Sequence, residues 1–267
     1  MNKNPESKLD LVLIQGFPAN QSLSAGVIEY MNEYFNVYFI NFPGFHKVNP
    51  PIENLSFEKL CQNIENEIEK LNLDNYILAG ISMGFLIANS IKIDESKVLA
   101  IMGLAPFLGK DYLQMGSFKK TSRRALLNVN KQLRVGEKMW EQKMFKKFLS
   151  SILSKEKGTL IEIIVDECQP QSFFGTAQIV MSLNYTPNFK NVPYIVLINE
   201  QDETIKAKET IEVYKKNIAK EKLYMIYTDL PHYPKDTSYE YLKQKITSEY
   251  FEKVYSFLNG TTVYGIK

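Results

Sequence analysis

A chain of 267 residues, 45% of them hydrophobic and 23% charged, has enough apolar mass for a large core, built as one domain with an insertion or as two domains. It has no run of about 18 apolar residues and no apolar leader near Met1, so neither a membrane span nor export is expected, and Cys61 and Cys168, far apart and without metal-ligand spacing, read as reduced thiols in a cytoplasm. The net charge of +2 is unevenly spread: between Lys110 and Lys157 stand 13 Lys or Arg against Asp111, Glu137, Glu141 and Glu156, a local +9 that leaves −7 for the remainder.

Leu9 to Gln15 and Asn36 to Asn41 are apolar runs stopped by Gly16-Phe17-Pro18 and Phe42-Pro43-Gly44, which predicts two buried strands. From Ser56, a candidate N-cap, Phe57, Leu60, Cys61, Ile64, Ile68 and Leu71 recur at helical spacing. A strand over Asn75 to Ala79 then runs into Gly80-Ile81-Ser82-Met83-Gly84, and a helix over Met83 to Ile91 follows it. Further strands are predicted at Val98 to Leu104, Tyr194 to Asn199 and Leu223 to Tyr227, with helices near Ile205 to Asn217 and Tyr239 to Leu258.

This alternation predicts an α/β fold, a mainly parallel sheet with helices on both faces, formed by residues 1–106 and 191–267. Residues 107–190 interrupt it and read as an inserted helical cap. One helical stripe there is Trp140, Met144, Phe145, Phe148, Leu149 and Ile152; Phe173, Phe174, Ala177, Ile179, Val180 and Met181 suggest another. Such stripes are mostly packing, but Phe145 and Phe148, together with Phe17, are the candidate substrate contacts. Ligands of parallel sheets bind at the carboxyl ends of the strands, so the loops at Gly16, Gly44, Ser82, Asp202 and His232 are expected on one face.

A serine hydroxyl needs a base to become a nucleophile, and histidine serves near neutral pH. Ser82 is expected on a sharp strand-to-helix turn whose flanking glycines avoid collisions with strand and helix. Of the two histidines, His232 follows the last strand and is favoured as base over His46, in the loop after the second. The base needs a carboxylate to orient it. Asp202, after the strand ending at Asn199, is the leading candidate, with Glu200, Glu203 and Asp229 as competitors. The N–H groups of Met83 and Phe17 are the expected donors to a developing oxyanion.

The ordered set Gln15-Gly16-Phe17-Pro18, Phe42-Pro43-Gly44, Gly80-Ile81-Ser82-Met83-Gly84, Asp202 and Leu230-Pro231-His232-Tyr233-Pro234 resembles the α/β-hydrolase superfamily over essentially the whole chain. The resemblance implies Ser82 as nucleophile, Asp202 as triad acid, His232 as base, Phe17 and Met83 as oxyanion donors, and residues 107–190 as the cap. The short lead before the first strand implies a reduced or missing edge hairpin. Family members commonly carry His-Gly where this chain has Gln15-Gly16, His where it has Ile81, and Gly where it has Phe85. Serine at the turn argues against dehalogenases and epoxide hydrolases, which use aspartate there.

The expected activity is therefore cleavage of carboxylic esters through an acyl-enzyme, with a small-molecule ester as substrate. Thioesterases, carbon–carbon hydrolases and perhydrolases share these residues, and a non-catalytic binding protein of the same fold is the alternative from another class. The basic segment makes the resemblance extend to esterases acting on acidic acyl carrier proteins, such as those cleaving pimeloyl-carrier methyl esters, precursors of biotin. Lys119, Lys120, Arg123 and Arg124 would then dock the carrier, whereas the simpler reading of the same charge is a solvated helical face. No dinucleotide fingerprint, metal-ligand cluster or nucleic-acid motif occurs, so no cofactor, no metal and no nucleic-acid partner are expected.

Overall fold

Strand side chains alternate between the two faces of a sheet, so a strand that is apolar throughout must be covered on both. The computed structural model, which describes residues 8–140, 142, 158–234 and 236–260, meets that demand with six largely apolar strands, in which Asp10 and Asn36 are the polar exceptions. They are β1 (Leu9–Ile14), β2 (Phe35–Ile40), β3 (Tyr76–Ile81), β4 (Val98–Leu104), β5 (Tyr194–Ile198) and β6 (Leu223–Tyr227). Their spatial order is β2-β1-β3-β4-β5-β6, and every pair is parallel. The chain moves outward from β1 to β2 and then returns to β3 on the other side of β1. Strand order therefore reverses between β1 and β3, where sheets of this kind open a crevice for ligands.

On one face Val12, Ile14, Leu78, Ile101 and Val196 pack against α2 (Phe57–Leu71), α3 (Met83–Ser90) and α8 (Ala207–Asn217). On the other, Leu11, Leu13, Ile77, Ala100, Met102 and Ile195 meet α1 (Ala25–Met31), α9 (Tyr239–Lys245) and α10 (Ser248–Leu258). Ser56 Oγ accepts from the Lys59 N–H and so starts α2, and Asn72 ends it in the left-handed conformation. The connection between β4 and β5 carries α4 (Ser117–Leu133), the short α5 (Val135–Lys138), α6 (Gly158–Glu167) and α7 (Pro170–Ser182). Its α6–α7 junction is fastened to the loops after β1 and β2. Asn20 Nδ2 and Ser22 Oγ each donate to the Glu167 carboxylate at 2.8 Å, and the Gln169 N–H donates to the Gly44 carbonyl at 2.6 Å.

Three elements differ from the sequence-based expectation. Helix α1 was not foreseen, because with seven residues it buries only Tyr30 and Met31 and shows little periodicity. The helix expected over Tyr239 to Leu258 is two helices: Ile246 is extended (φ −116°, ψ 96°), and Thr247 takes the N-cap position of α10. Trp140, expected on a helical stripe, stands in the turn after α5, where its Nε1–H donates to the Val165 carbonyl at 3.0 Å. The remainder of that stripe, Phe145 and Phe148 included, lies outside the described residues.

The two glycines of the Ser82 motif are required by close approach. A Cβ on Gly80 would lie 2.2 Å from the Gly84 and Phe85 backbone, and one on Gly84 would lie 2.4 Å from the carbonyl oxygens of Ile14 and Gln15. Gly84→Ala is accordingly expected to lower stability by about 3 kcal/mol, the upper end of the overpacking range. Gly116→Ala, where nothing described lies within 4 Å of the added carbon, loses only the N-cap preference of glycine at the start of α4 and should cost less than about 1 kcal/mol; urea unfolding of both variants checks the contrast.

Candidate active site

Ser82 links β3 to α3 with φ 48° and ψ −110°, a conformation that side-chain-bearing residues adopt only under constraint from their surroundings. The constraint is visible. The Ser82 N–H donates to the Leu104 carbonyl at 2.8 Å, and the Ser82 carbonyl accepts from the N–H groups of Phe85 (3.1 Å) and Phe107 (3.2 Å). Ser82 occupies the N-cap position of α3, where a serine usually bonds a helix N–H, yet its hydroxyl makes no such bond. It lies instead 2.8 Å from His232 Nε2, a residue 150 positions away.

The other ring nitrogen, His232 Nδ1, is 2.9 Å from Asp202 Oδ2, and both side chains are almost wholly shielded from solvent. Asp202 is lifted into place by a turn in which Asn199 Oδ1 accepts from the Gln201 N–H and the Asn199 carbonyl from the Asp202 N–H. Its Oδ1 accepts from the N–H groups of Thr204 (2.7 Å) and Ile205 (3.0 Å). Burial alone would raise the Asp202 carboxyl, but the His232 hydrogen bond, the attraction of that ring and the two backbone N–H groups outweigh it and hold the carboxyl below its ordinary value. An ionised carboxylate can only accept, so Nδ1 carries the proton, and in the neutral form of the ring Nε2 is the atom that accepts from the Ser82 hydroxyl.

The other sequence candidates lie apart from this chain of bonds. His46 Nδ1 accepts from the Val48 N–H, Asp229 pairs with Lys245 at 2.6 Å, and Glu200 and Glu203 are exposed. A void of about 20 Å3 lies between Phe17, Ser82, Met83 and His232, with Leu113 and Val180 closing it. Among the described residues neither the Phe17 nor the Met83 N–H meets an acceptor. The Phe17 ring lies 5.2 Å from that of Phe173 on α7 and 6.1 Å from that of Phe45, centroid to centroid. In the basic segment, Arg124 Nε donates to the Met181 carbonyl at 2.6 Å, satisfying one of the open carbonyls at the end of α7. Burial lowers the half-buried Arg123 guanidinium from its ordinary value. Lys119 and Lys120 lie on α4.

Two positioning contacts were not anticipated. Asn199 Nδ2 donates to the Leu230 carbonyl at 3.1 Å, tying the Asp202 loop to the His232 loop. Gln15 is buried beneath the site, and its Oε1 accepts from the Phe42 N–H at 2.8 Å, joining the loops after β1 and β2. Polar residues at strand ends were the available signal for both. The two thiols take no part: burial pushes Cys61 and Cys168 up to about 12.

A carboxyl held low in the fold contributes stability that is present above its unfolded value, about 3.9, and is lost as pH falls through the folded value. Wild-type protein should therefore lose stability below about pH 4 more steeply than Asp202→Asn, as chemical unfolding across pH would show.

Solved structures share this architecture. An esterase from Thermogutta terrifontis is 15% identical, with TM-score 0.60 over 96% of this chain and 92% of that one. MenH from S. aureus is 15% identical, with TM-score 0.60 over 98% and 97%, and an enol-lactonase from Burkholderia xenovorans LB400 is 13% identical, with TM-score 0.64 over 96% and 94%. At these identities the likeness shows the fold alone. No curated protein matches the sequence. Among the described residues no helix is long and apolar enough to cross a membrane. The model of the alpha/beta hydrolase fold matches residues 11–238, from β1 to beyond the loop that brings His232 to Ser82, and the chain thus belongs to the α/β-hydrolase family.

Proposed function

We propose that the protein hydrolyses carboxylic esters of small molecules through a covalent acyl-enzyme on Ser82, with residues 107–190 as a cap over the site. The observation that carries this reading is the unbroken sequence of hydrogen bonds from Ser82 Oγ through His232 to Asp202, at 2.8 and 2.9 Å. In the forward step Ser82 Oγ bonds to the ester carbonyl carbon while its proton passes to His232 Nε2. Asp202 stabilises the imidazolium without taking its proton. The carbonyl oxygen gains negative charge in the void between the Phe17 and Met83 N–H groups, which are open to donate to it. His232 then protonates the departing alcohol, and a water molecule deprotonated by the same ring releases the acid and restores Ser82.

Thioesters would follow the same steps with a thiol leaving. Docking of an acyl carrier protein on Lys119, Lys120, Arg123 and Arg124 rests on charge alone, since Arg124 is already bonded to the end of α7; a soluble ester is the substrate class favoured here.

Ser82 should be the single residue modified by a fluorophosphonate, read by peptide mass mapping. Labelling of a different serine, or none in folded protein, would sink the assignment. His232→Ala and Asp202→Asn should each reduce kcat for an activated ester by about 10^3-fold or more, whereas His46→Ala should retain most of it in the same steady-state assay.

A further inference from the structure

The larger opening beside Ser82 lies mainly on the sheet and core helices, and Ile163 on α6 is the residue of the inserted helices that reaches its lining. A cavity of about 380 Å3 starts at Ser82 and His232 and extends between the sheet and the helices α1, α9 and α10. Packed cores contain few voids larger than a water molecule, and a dry cavity destabilises in proportion to its size; this one falls within the roughly 300–1,000 Å3 of small-molecule sites. Met102, Leu104, Ile195 and Leu197 form its floor on the sheet, and Val27 and Val254 form its helical wall. Tyr30 and Phe251, with ring centroids 5.6 Å apart, add aromatic surface to the lining. The break between α9 and α10 opens onto it, since Ile246 is part of the lining.

Among the described residues the lining has no Asp, Glu, Lys or Arg. Several of its polar groups are already paired: Tyr30 Oη donates to the Ile246 carbonyl, Asn199 Nδ2 to the Leu230 carbonyl and Thr237 Oγ1 to the Leu23 carbonyl, and Thr228 Oγ1 accepts from the Leu230 N–H. A charged tail would find no ionic partner among the described lining residues, whereas a hydrocarbon would meet mostly apolar side chains. At about 30 Å3 for a water-sized group, the volume of about 380 Å3 admits a chain on the order of ten carbons. The void on the other side of Ser82, about 20 Å3 under Leu113 and Val180, has room for little more than one water.

Resting on the ester-hydrolase reading, we infer that the substrate is an ester of an unbranched, medium-chain fatty acid. Its acyl chain passes behind the His232 loop into the core, between the sheet and α1, α9 and α10.

The test compares kcat/KM for p-nitrophenyl acetate, octanoate and dodecanoate. Wild type should favour the longer esters, and Val254→Phe should lower the octanoate-to-acetate ratio by about tenfold or more. Val27→Phe, on a different helix, should do the same and covers the case in which Val254→Phe fails to fold. Val180→Phe, on the side of the small void, should change that ratio by less than about twofold. A preference of the wild type for acetate, or a ratio that responds to Val180→Phe and not to the other two, overturns the inference.

A binding measurement separates it from the catalytic reading. Dodecanoate should displace a fluorescent fatty acid from Ser82→Ala protein, and adding Val254→Phe should weaken it. If that holds while wild type hydrolyses no ester, the hydrolase reading falls and the fatty-chain site stands. Hydrolysis of the acetate ester with no dodecanoate binding removes the site and leaves the hydrolase.

Discussion

The arrangement around Ser82 depends on one packing contact, the approach of α3 to the end of β1. The Gly84 Cα faces the carbonyls of Ile14 and Gln15 so closely that a single added carbon would overlap both. That approach sets the angle at which the chain leaves β3, and the angle puts Ser82 at φ 48°. A serine so placed cannot cap its own helix. Its hydroxyl turns to His232, and the Met83 N–H at the start of α3 is left open at the same spot. Backbone geometry in the sheet and chemical geometry above it are one constraint. The bonds from Ser82 to Leu104 and Phe107 spread the strain into β4 and the chain beyond it.

The parallel sheet brings side chains that are distant in sequence to a common edge. Phe17 follows β1, Ser82 follows β3, Asp202 follows β5 and His232 follows β6, so each needs only a short loop of suitable shape. Polar side chains shape these loops. Asn199 serves both the Asp202 turn and the His232 loop, and Gln15 links the loops after β1 and β2. The inserted helices are tied to the same edge through Glu167, Gln169 and Phe173. Their position therefore follows from the strand ends that also hold Ser82 and His232.

The strands could be read directly because each is a largely apolar run and most are ended by glycine, proline or asparagine, and burial on both faces leaves little else for such runs to do. Residues after those strands could be placed together for the same reason. The break at Ile246 and Thr247 was not legible, since the residues on both sides keep a helical apolar spacing and the interruption lies in one extended residue. Helix α1 escaped notice because it is short and half exposed. The cavity behind His232 has no signature in sequence: Val27, Met102, Leu197 and Val254 look like ordinary core residues, and the space among them appears only once α1 and the two C-terminal helices take their distance from the sheet.

Phe85 stands where many family members have glycine, and the structure pairs it with a glycine elsewhere. A Cβ on Gly103 of β4 would lie 2.8 Å from the Phe85 ring, which is buried and meets Tyr194 and Tyr214 edge-on. The ring on the helix occupies the space that a side chain on the neighbouring strand would need. Substitutions at 85 and 103 are thus not independent. A side chain at 103 and an aromatic ring at 85 compete for one volume, so what either position tolerates is set by the residue at the other.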